Sequence, residues 1–216
     1  KNLKQISENY ENTPAITYED FLKKEINNID FEPDIIGFSI LFSSSYNATV
    51  KLIEITKNRW VNSTVICGGN HATNWHENLL KIREVDYVLR GEAELSFTEF
   101  LKNRITNDEK QIKGVIDRKK VMDCQNEKET ERGILQRKLP MSSWRWEMSP
   151  MINNLDELPL PAYDLIDIDY YRGIGCNNVM MSRGCVYNCT FCATKTIHGM
   201  GMRYKSKQRF YDEIEY

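Results

Sequence analysis

The sequence predicts an α/β fold with a parallel sheet in its first half and a metal-binding cysteine loop near its end. Three short apolar runs alternate with segments of helical periodicity, which is typical of strands buried beneath crossover helices. Glycines directly follow two of these runs, and three cysteines crowd into the stretch 185–192. The length of 216 residues allows one or two domains. The formal net charge of −2 gives no electrostatic reason to expect nucleic acid.

The elements of the first half follow from their apolar patterns. In order, we predict a strand over 34–41, a helix over 48–60, a strand over 63–67, a helix over 75–82, a strand over 85–90 and a helix over 94–104. Strands that alternate with helices imply right-handed crossovers and hence a parallel sheet. The residues before Asp30 are polar and contain no opening strand, so we expect the chain to enter this domain part-way.

The pattern changes near Lys110. A small hairpin is predicted at 112–116, and the prolines of Leu158-Pro159-Leu160-Pro161 predict an extended connector because each disfavours helix at the residue before it. A short strand over 178–181 should lead into the cysteine loop, and a last helix should begin near Lys207. The predicted organisation is a domain over 1–110, a linker over 111–172 and the beginning of a second domain over 173–216.

The cysteine loop has the spacing C-x3-C-x2-C, formed by Cys185, Cys189 and Cys192. Three thiolates on one loop suit an iron–sulfur cluster, zinc or copper(I). A closed zinc site needs a fourth ligand, which His198 could supply, and a ferredoxin-type cluster would need Cys176. A four-iron cluster on three cysteines would instead leave one iron open to a reactive ligand. Clustered cysteines without a secretion signal favour a metal site in a reducing cytoplasm over disulfides.

The flanks of this loop resemble the radical S-adenosylmethionine enzymes, whose C-x3-C-x-aromatic-C motif follows the first strand of a β/α barrel. Here Ser182-Arg183-Gly184 precede the cysteines, Phe191 is the aromatic residue, and Arg203-Tyr204-Lys205-Ser206 is similar to that family's approach to its first barrel helix. The resemblance implies a [4Fe–4S] cluster on the three cysteines. S-adenosylmethionine would chelate the fourth iron and be cleaved reductively to a 5′-deoxyadenosyl radical. Phe191 would lie near the adenine or serve as a plain hydrophobic plug.

The strand ends of the first half resemble the cobalamin-binding domain, a flavodoxin-like (Rossmann-like) sheet. Ser-x-Leu ends one predicted strand, Gly-Gly the next, and Gly-Glu-Ala-Glu the third. Open α/β sheets bind ligands beyond the carboxyl ends of their strands, where small residues permit close approach. The contacts implied are Ser39, Leu41, Gly68, Gly69, His71, Gly91, Glu92 and Glu94. His71 equally fits a loop histidine that caps the next helix, and the chain lacks the D-x-H-x-x-G loop that supplies an axial histidine in many relatives.

Together, the two resemblances predict part of a cobalamin-dependent radical S-adenosylmethionine enzyme. Its fold would be a flavodoxin-like parallel sheet followed by the first β/α unit of a barrel. Such an enzyme would act on a small-molecule substrate by methyl transfer, cyclisation or rearrangement, with an electron donor such as flavodoxin or ferredoxin. We expect a cytoplasmic location, no nucleic acid, no membrane, and no turnover by this chain alone because a full barrel needs about 250 residues.

Two other classes remain open from the sequence. One is a standalone cobalamin- or corrinoid-binding module whose cysteine loop is incidental, and the other is a zinc-stabilised interaction domain. No catalytic residue is assigned. Outside the motifs, Cys67 is predicted to be buried and inert, and His76 is predicted to lie at the surface.

Overall fold

A mixed four-stranded sheet and a two-stranded ribbon organise the chain. The computed structural model describes residues 17–108, 110–119, 121, 147–175 and 178–216. The elements are α1 Tyr18–Asn27, β1 Ile35–Ser39, α2 Tyr46–Arg59, β2 Thr64–Gly68, α3 Asn70–Leu79, β3 Tyr87–Leu89, α4 Glu94–Thr106, β4 Val115–Asp117, α5 Ile168–Gly173, β5 Ser182–Cys185, α6 Thr194–His198, β6 Gly201–Tyr204 and α7 Lys207–Glu215. Short 3-10 turns lie at Ser43–Ser45, Leu155–Glu157 and Tyr163–Leu165.

The sheet has the strand order β1-β2-β3-β4. β1 pairs with β2 and β2 with β3 in parallel, which confirms the α/β fold predicted from the sequence. β4 then adds antiparallel to β3, with Val88 opposite Ile116. The hairpin predicted at 112–116 is therefore wrong, because this segment pairs with an existing strand. The sheet consequently continues beyond the boundary predicted at residue 110, and the domain limits themselves stay a prediction.

Both faces of the sheet are covered by helices. Side chains alternate across a strand, so Val65 and Cys67 of β2 face one layer while Ile66 faces the other. The first face packs against α2 and α3 through residues such as Ile53, and the second packs against α4 through Phe100. α1 adds a further layer outside α2, where its apolar side chains meet Trp60.

Helix α3 begins earlier than predicted, at Asn70 instead of Trp75. Gly69 stands at its N-cap, and the Thr73 N–H donates to the Gly69 carbonyl at 2.9 Å, so the helix starts directly after β2. Trp75 has non-helical torsion angles and kinks the helix. The sequence pattern captured only the part after this kink.

The cysteine segment forms an antiparallel ribbon. β5 pairs with β6, and Arg183 lies opposite Arg203. The strand predicted at 178–181 is displaced in the structure, since β5 begins at Ser182 and contains the Ser-Arg-Gly-Cys sequence itself. Gly184 makes this pairing feasible because its φ is +103° and a Cβ there would lie 2.0 Å from the Gly201 carbonyl oxygen. No helix among the described residues combines the length and apolar character required to cross a lipid bilayer.

Candidate functional site

The carboxyl ends of the three parallel strands bring the predicted cofactor-binding residues to one edge. Ser39 ends β1 opposite Gly68, which ends β2, and Gly91 follows β3 closely. The Ile40 N–H donates to the Gly68 carbonyl at 2.7 Å, and the His71 N–H donates to the Ile40 carbonyl at 2.9 Å. These bonds fix the segments after β1 and β2 to each other. The edge is therefore held together by backbone contacts.

Gly69 allows this close approach. Its φ of +96° and ψ of 179° place it in a region that only glycine adopts readily. A Cβ there would lie 2.7 Å from the Ile40 carbonyl oxygen. At Gly68, by contrast, the nearest atom to a built Cβ is 4.0 Å away. The two adjacent glycines thus have different roles, and only the second is required by sterics.

A cavity of about 510 Å³ opens at this edge of the sheet. It is lined by Leu41, Ser43, Tyr46, Asn70, His71, Asn74, Trp75 and Ala193. Ala193 directly follows Cys192, so the cavity touches both the sheet edge and the cysteine segment. Its volume lies within the range of small-molecule sites, roughly 300–1,000 Å³. A slightly larger cavity of about 580 Å³ involves Tyr163 and Ile214 and is lined by none of the predicted site residues.

His71 is held in an aromatic environment beside this cavity. Its Nδ1 forms a 2.9 Å hydrogen bond with Ser43 Oγ, and its ring lies 5.2 Å from that of Tyr46 and 6.2 Å from that of Trp75. Burial lowers the pKa of His71, so the neutral imidazole is favoured. Its Nε2 is buried and has no hydrogen-bond partner among the described residues. Ser43, Tyr46 and Trp75 were missed by sequence reasoning, which had no signal to separate them from ordinary loop and helix residues.

The three cysteines of the loop line one small cavity of about 20 Å³, together with Tyr187, Thr194 and Lys195. All three are free thiols. Within the described part of the chain, however, no three His, Cys, Asp or Glu side chains are already gathered into a metal-ligand set. Three thiols are a donor set that soft metals prefer.

Thr194 influences one of these thiols. A 3.2 Å hydrogen bond between Cys192 Sγ and Thr194 Oγ1 lowers the pKa of the Cys192 thiol. His198, the candidate fourth zinc ligand, does not line the cavity, and its Nδ1 is bonded to Glu92. Phe191 is 91% exposed, so it plugs no core in the described structure. Cys176 lies outside the described residues.

Glu92 is the most connected carboxylate in the described structure. Arg203 Nη1 donates to its Oε2 at 2.8 Å, His198 Nδ1 to its Oε1 at 2.8 Å, and the Ile152 N–H to Oε2 at 3.2 Å. Arg183 lies 3.6 Å away. Burial alone would raise the pKa of Glu92, but the bonds from Arg203 and His198 outweigh it and lower the pKa to about 2. The predicted cofactor contact is thus an ionised carboxylate occupied by protein donors.

Glu94 is placed beside Glu92. Its carboxylate lies 2.6 Å from Arg183, one residue before Gly184 in β5. The structure shows contacts of both glutamates with protein groups only. Their cofactor roles therefore stay predictions. Arg183, His198 and Arg203 were not assigned to this cluster from the sequence because 89 to 111 positions separate them from the two glutamates, and no local pattern encodes such a contact.

Two structural expectations have opposite outcomes. Cys67 is fully buried, as predicted, and burial raises the pKa of its thiol to about 12. His76 was predicted at the surface, but it is buried at 4% exposure on the inner face of α3. Burial, with a contribution from Arg90, lowers the pKa of His76 to about 4. The prediction was wrong because His76 lies on the same face of α3 as Ala72, Thr73 and Leu79, which is the buried face.

Known proteins are similar to the sheet domain and to most of the rest of the chain. A family model described as the B12 binding domain matches residues 14–101. A Pyrococcus horikoshii protein named an uncharacterized methyltransferase is 33% identical over 85% of this chain and 36% of its own length. Cytidylyl-2-hydroxyethylphosphonate methyltransferase of Streptomyces wedmorensis is 26% identical over 99% of this chain and 44% of its own length.

Solved structures show the same fold. The radical S-adenosylmethionine methyltransferase TsrM from Kitasatospora setae, with its tryptophan substrate and an analogue of S-adenosylmethionine bound, superposes with a TM-score of 0.59 at 18% identity. The match covers 92% of this chain and 36% of TsrM. This chain therefore spans well under half the length of the relatives that it matches.

Proposed function

The chain belongs to the cobalamin-dependent radical S-adenosylmethionine enzymes, and from this premise we propose that it carries the cobalamin site and the cluster loop of a methyltransferase. The observation that carries the proposal is the cavity of about 510 Å³ shared by the sheet edge and Ala193. Two cofactors that react together must lie close to each other, and this cavity adjoins both predicted sites.

The residues at the sheet edge fit a bulky planar cofactor. Gly68 carries no side chain, and a Cβ built there would meet nothing closer than 4.0 Å, so ligand atoms can approach its backbone. Leu41 is 49% exposed and offers an apolar surface beside the cavity. The unpartnered Nε2 of His71 is a polar atom in need of a partner. We propose that Ser39, Leu41, Gly68, Gly69, His71 and Gly91 form this surface, with Glu92 and Glu94 behind it.

The cysteine loop fits an iron–sulfur cluster through its donor set. Cys185, Cys189 and Cys192 are free, face one cavity and leave one ligand position to S-adenosylmethionine. When bound, the cluster and S-adenosylmethionine would supply the radical that activates the substrate, and methylcobalamin would supply the methyl group. The zinc alternative is weakened because His198, its candidate fourth ligand, does not line the cavity that the three cysteines share.

The chain's own residues contribute binding and orientation. The Thr194 hydroxyl favours the thiolate form of Cys192, which is the form that ligates metal. Ser43 fixes the ring of His71 through Nδ1, so its Nε2 keeps one direction. Phe191, exposed beside Cys192, is available to stack on an adenine. We further propose a small-molecule substrate and an electron donor such as flavodoxin or ferredoxin.

Anaerobic reconstitution with iron and sulfide, followed by metal, sulfide and corrinoid analysis, tests the proposal. We expect four iron and four sulfide per chain and one bound corrinoid. Cys189→Ser should abolish iron uptake, whereas Cys67→Ala, which removes a thiol from the core, should leave it unchanged.

Each other composition would contradict part of the proposal. One tightly held zinc in place of iron would indicate an interaction domain. Bound corrinoid with no iron, in both wild type and Cys189→Ser, would indicate a corrinoid module with an incidental cysteine loop.

A further inference from the structure

Glu92 joins three separate parts of the chain. Its side chain is 1% exposed, yet it is ionised and held by cations from the cysteine segment. It lies three residues beyond the end of β3 and so close to the sheet edge, and the Gly91 N–H beside it donates to Thr73 Oγ1 at 3.0 Å. The Ile152 N–H, from the connector, completes the set of donors. Such a carboxylate is unfavourable to bury unless its partners are fixed.

The side-chain partners of Glu92 flank the cysteines on both sides. Arg183 lies in β5, two residues before Cys185, and Arg203 lies opposite it in β6. His198 ends α6, the short helix that follows Cys192. Both strands of the ribbon and its intervening helix are therefore tied to one carboxylate.

Other contacts of the ribbon with the sheet are weaker or more exposed. Glu94 binds Arg183 at 2.6 Å, but its side chain is 37% exposed, so water competes for that pair. The arginines at Glu92 are only 14% and 16% exposed. Removing the Glu92 carboxylate would leave the largely buried guanidinium of Arg203 without its carboxylate partner, which favours separation of the ribbon from the sheet.

We infer that Glu92 is a positioning residue that docks the cysteine ribbon onto the sheet edge and thereby sets the separation between the two cofactor sites. The inference rests on the proposed function only for what the docking serves, because the docking itself involves protein groups alone. Glu92 would act through Arg203, Arg183 and His198, without touching the reacting atoms.

Hydrogen–deuterium exchange of the 216-residue chain without cofactors tests the docking directly. Glu92→Gln should accelerate amide exchange at least tenfold across 182–204 and leave β1 and β2 unchanged. Glu99→Gln is the matched control, since Glu99 is exposed on α4, close in sequence to Glu92. Wild-type protection of the ribbon in Glu92→Gln would overturn the inference.

A second variant covers the case in which Glu92→Gln does not fold, as judged by circular dichroism. Arg203→Gln removes the partner from the ribbon side and leaves the sheet's own residues intact. It should give the same acceleration over 182–204, and unchanged exchange there would overturn the inference.

A measurement on protein that holds both cofactors separates a positioning role from a simple loss of stability. In protein with a reduced cluster and Co(II) cobalamin, we expect Glu92→Gln to retain both but to lose or weaken their magnetic coupling, seen by electron paramagnetic resonance. Coupling equal to wild type would overturn the positioning role. If wild type takes up no iron, the proposed function fails, and the exchange comparison alone decides the role of Glu92.

Discussion

Replacing Gly69 with alanine should separate the two strand ends that form the cofactor edge. The backbone at Gly69 has φ +96° and ψ 179°, a conformation that costs a residue with a side chain about 1–3 kcal/mol. The new Cβ would also lie 2.7 Å from the Ile40 carbonyl oxygen and 3.0 Å from its carbon, and relief of such overpacking costs about 1–3 kcal/mol. We therefore expect Gly69→Ala to lower the free energy of unfolding by about 2–6 kcal/mol.

Gly68→Ala is the matched control, one residue away. Its built Cβ meets nothing closer than Leu89 Cβ at 4.0 Å, and alanine is favoured over glycine within a strand by roughly 0.5–1 kcal/mol. Urea unfolding followed by circular dichroism measures both variants. With an m-value of about 2 kcal/mol/M, the midpoint of Gly69→Ala should fall by about 1–3 M, while that of Gly68→Ala should hold or rise. Equal midpoints for the two variants would refute the assignment of the close contact to Gly69.

Two further predictions concern the core. Phe100→Ala should lower the free energy of unfolding by about 3–5 kcal/mol, because Phe100 is 4% exposed and packs edge-on against Tyr87 with ring centroids 4.9 Å apart. Phe191→Ala, the control, should change the free energy of unfolding by less than about 0.5 kcal/mol. Equal losses for the two variants in urea unfolding would be evidence against the assigned core. His76 has a folded pKa of about 4 against about 6.5 when unfolded, so the unfolded chain binds the proton first and stability falls as the pH drops from about 6.5 to 4. In His76→Gln, the loss in free energy of unfolding over this pH range should be smaller by an amount on the order of 2–3 kcal/mol. If the free energy of unfolding of this variant depends on pH as in wild type, His76 is not a buried neutral imidazole.

The parallel strands could be predicted because burial on both faces requires continuous apolar runs. β1 and β2 have such runs, and Gly68 and Gly69 marked the correct edge of the sheet. β4 is only three residues long, and whether so short a strand forms a hairpin or joins a sheet depends on what lies beside it. The start of α3 was missed because Gly69 and Asn70 are residues typical of loops.

The candidate site divides in the same way. The cysteines were predicted as ligands because they stand close together in the sequence with a spacing typical of metal sites. The role of Glu92 was not, because its cations come from residues more than 90 positions away and each reads alone as a solvated surface charge. Whether an ion pair is buried depends on the assembled fold, so it cannot be predicted from local sequence.

The separation between Glu92 and Arg203 also fixes an order of events during synthesis. The two residues are 111 positions apart, so at roughly 5–20 residues per second Arg203 is made about 6–22 s after Glu92. The strands and helices around Glu92 have complete local partners by then and can fold first. Docking of the cysteine ribbon is therefore a late step during synthesis. Until Arg203 has been translated, the Glu92 carboxylate remains exposed to solvent.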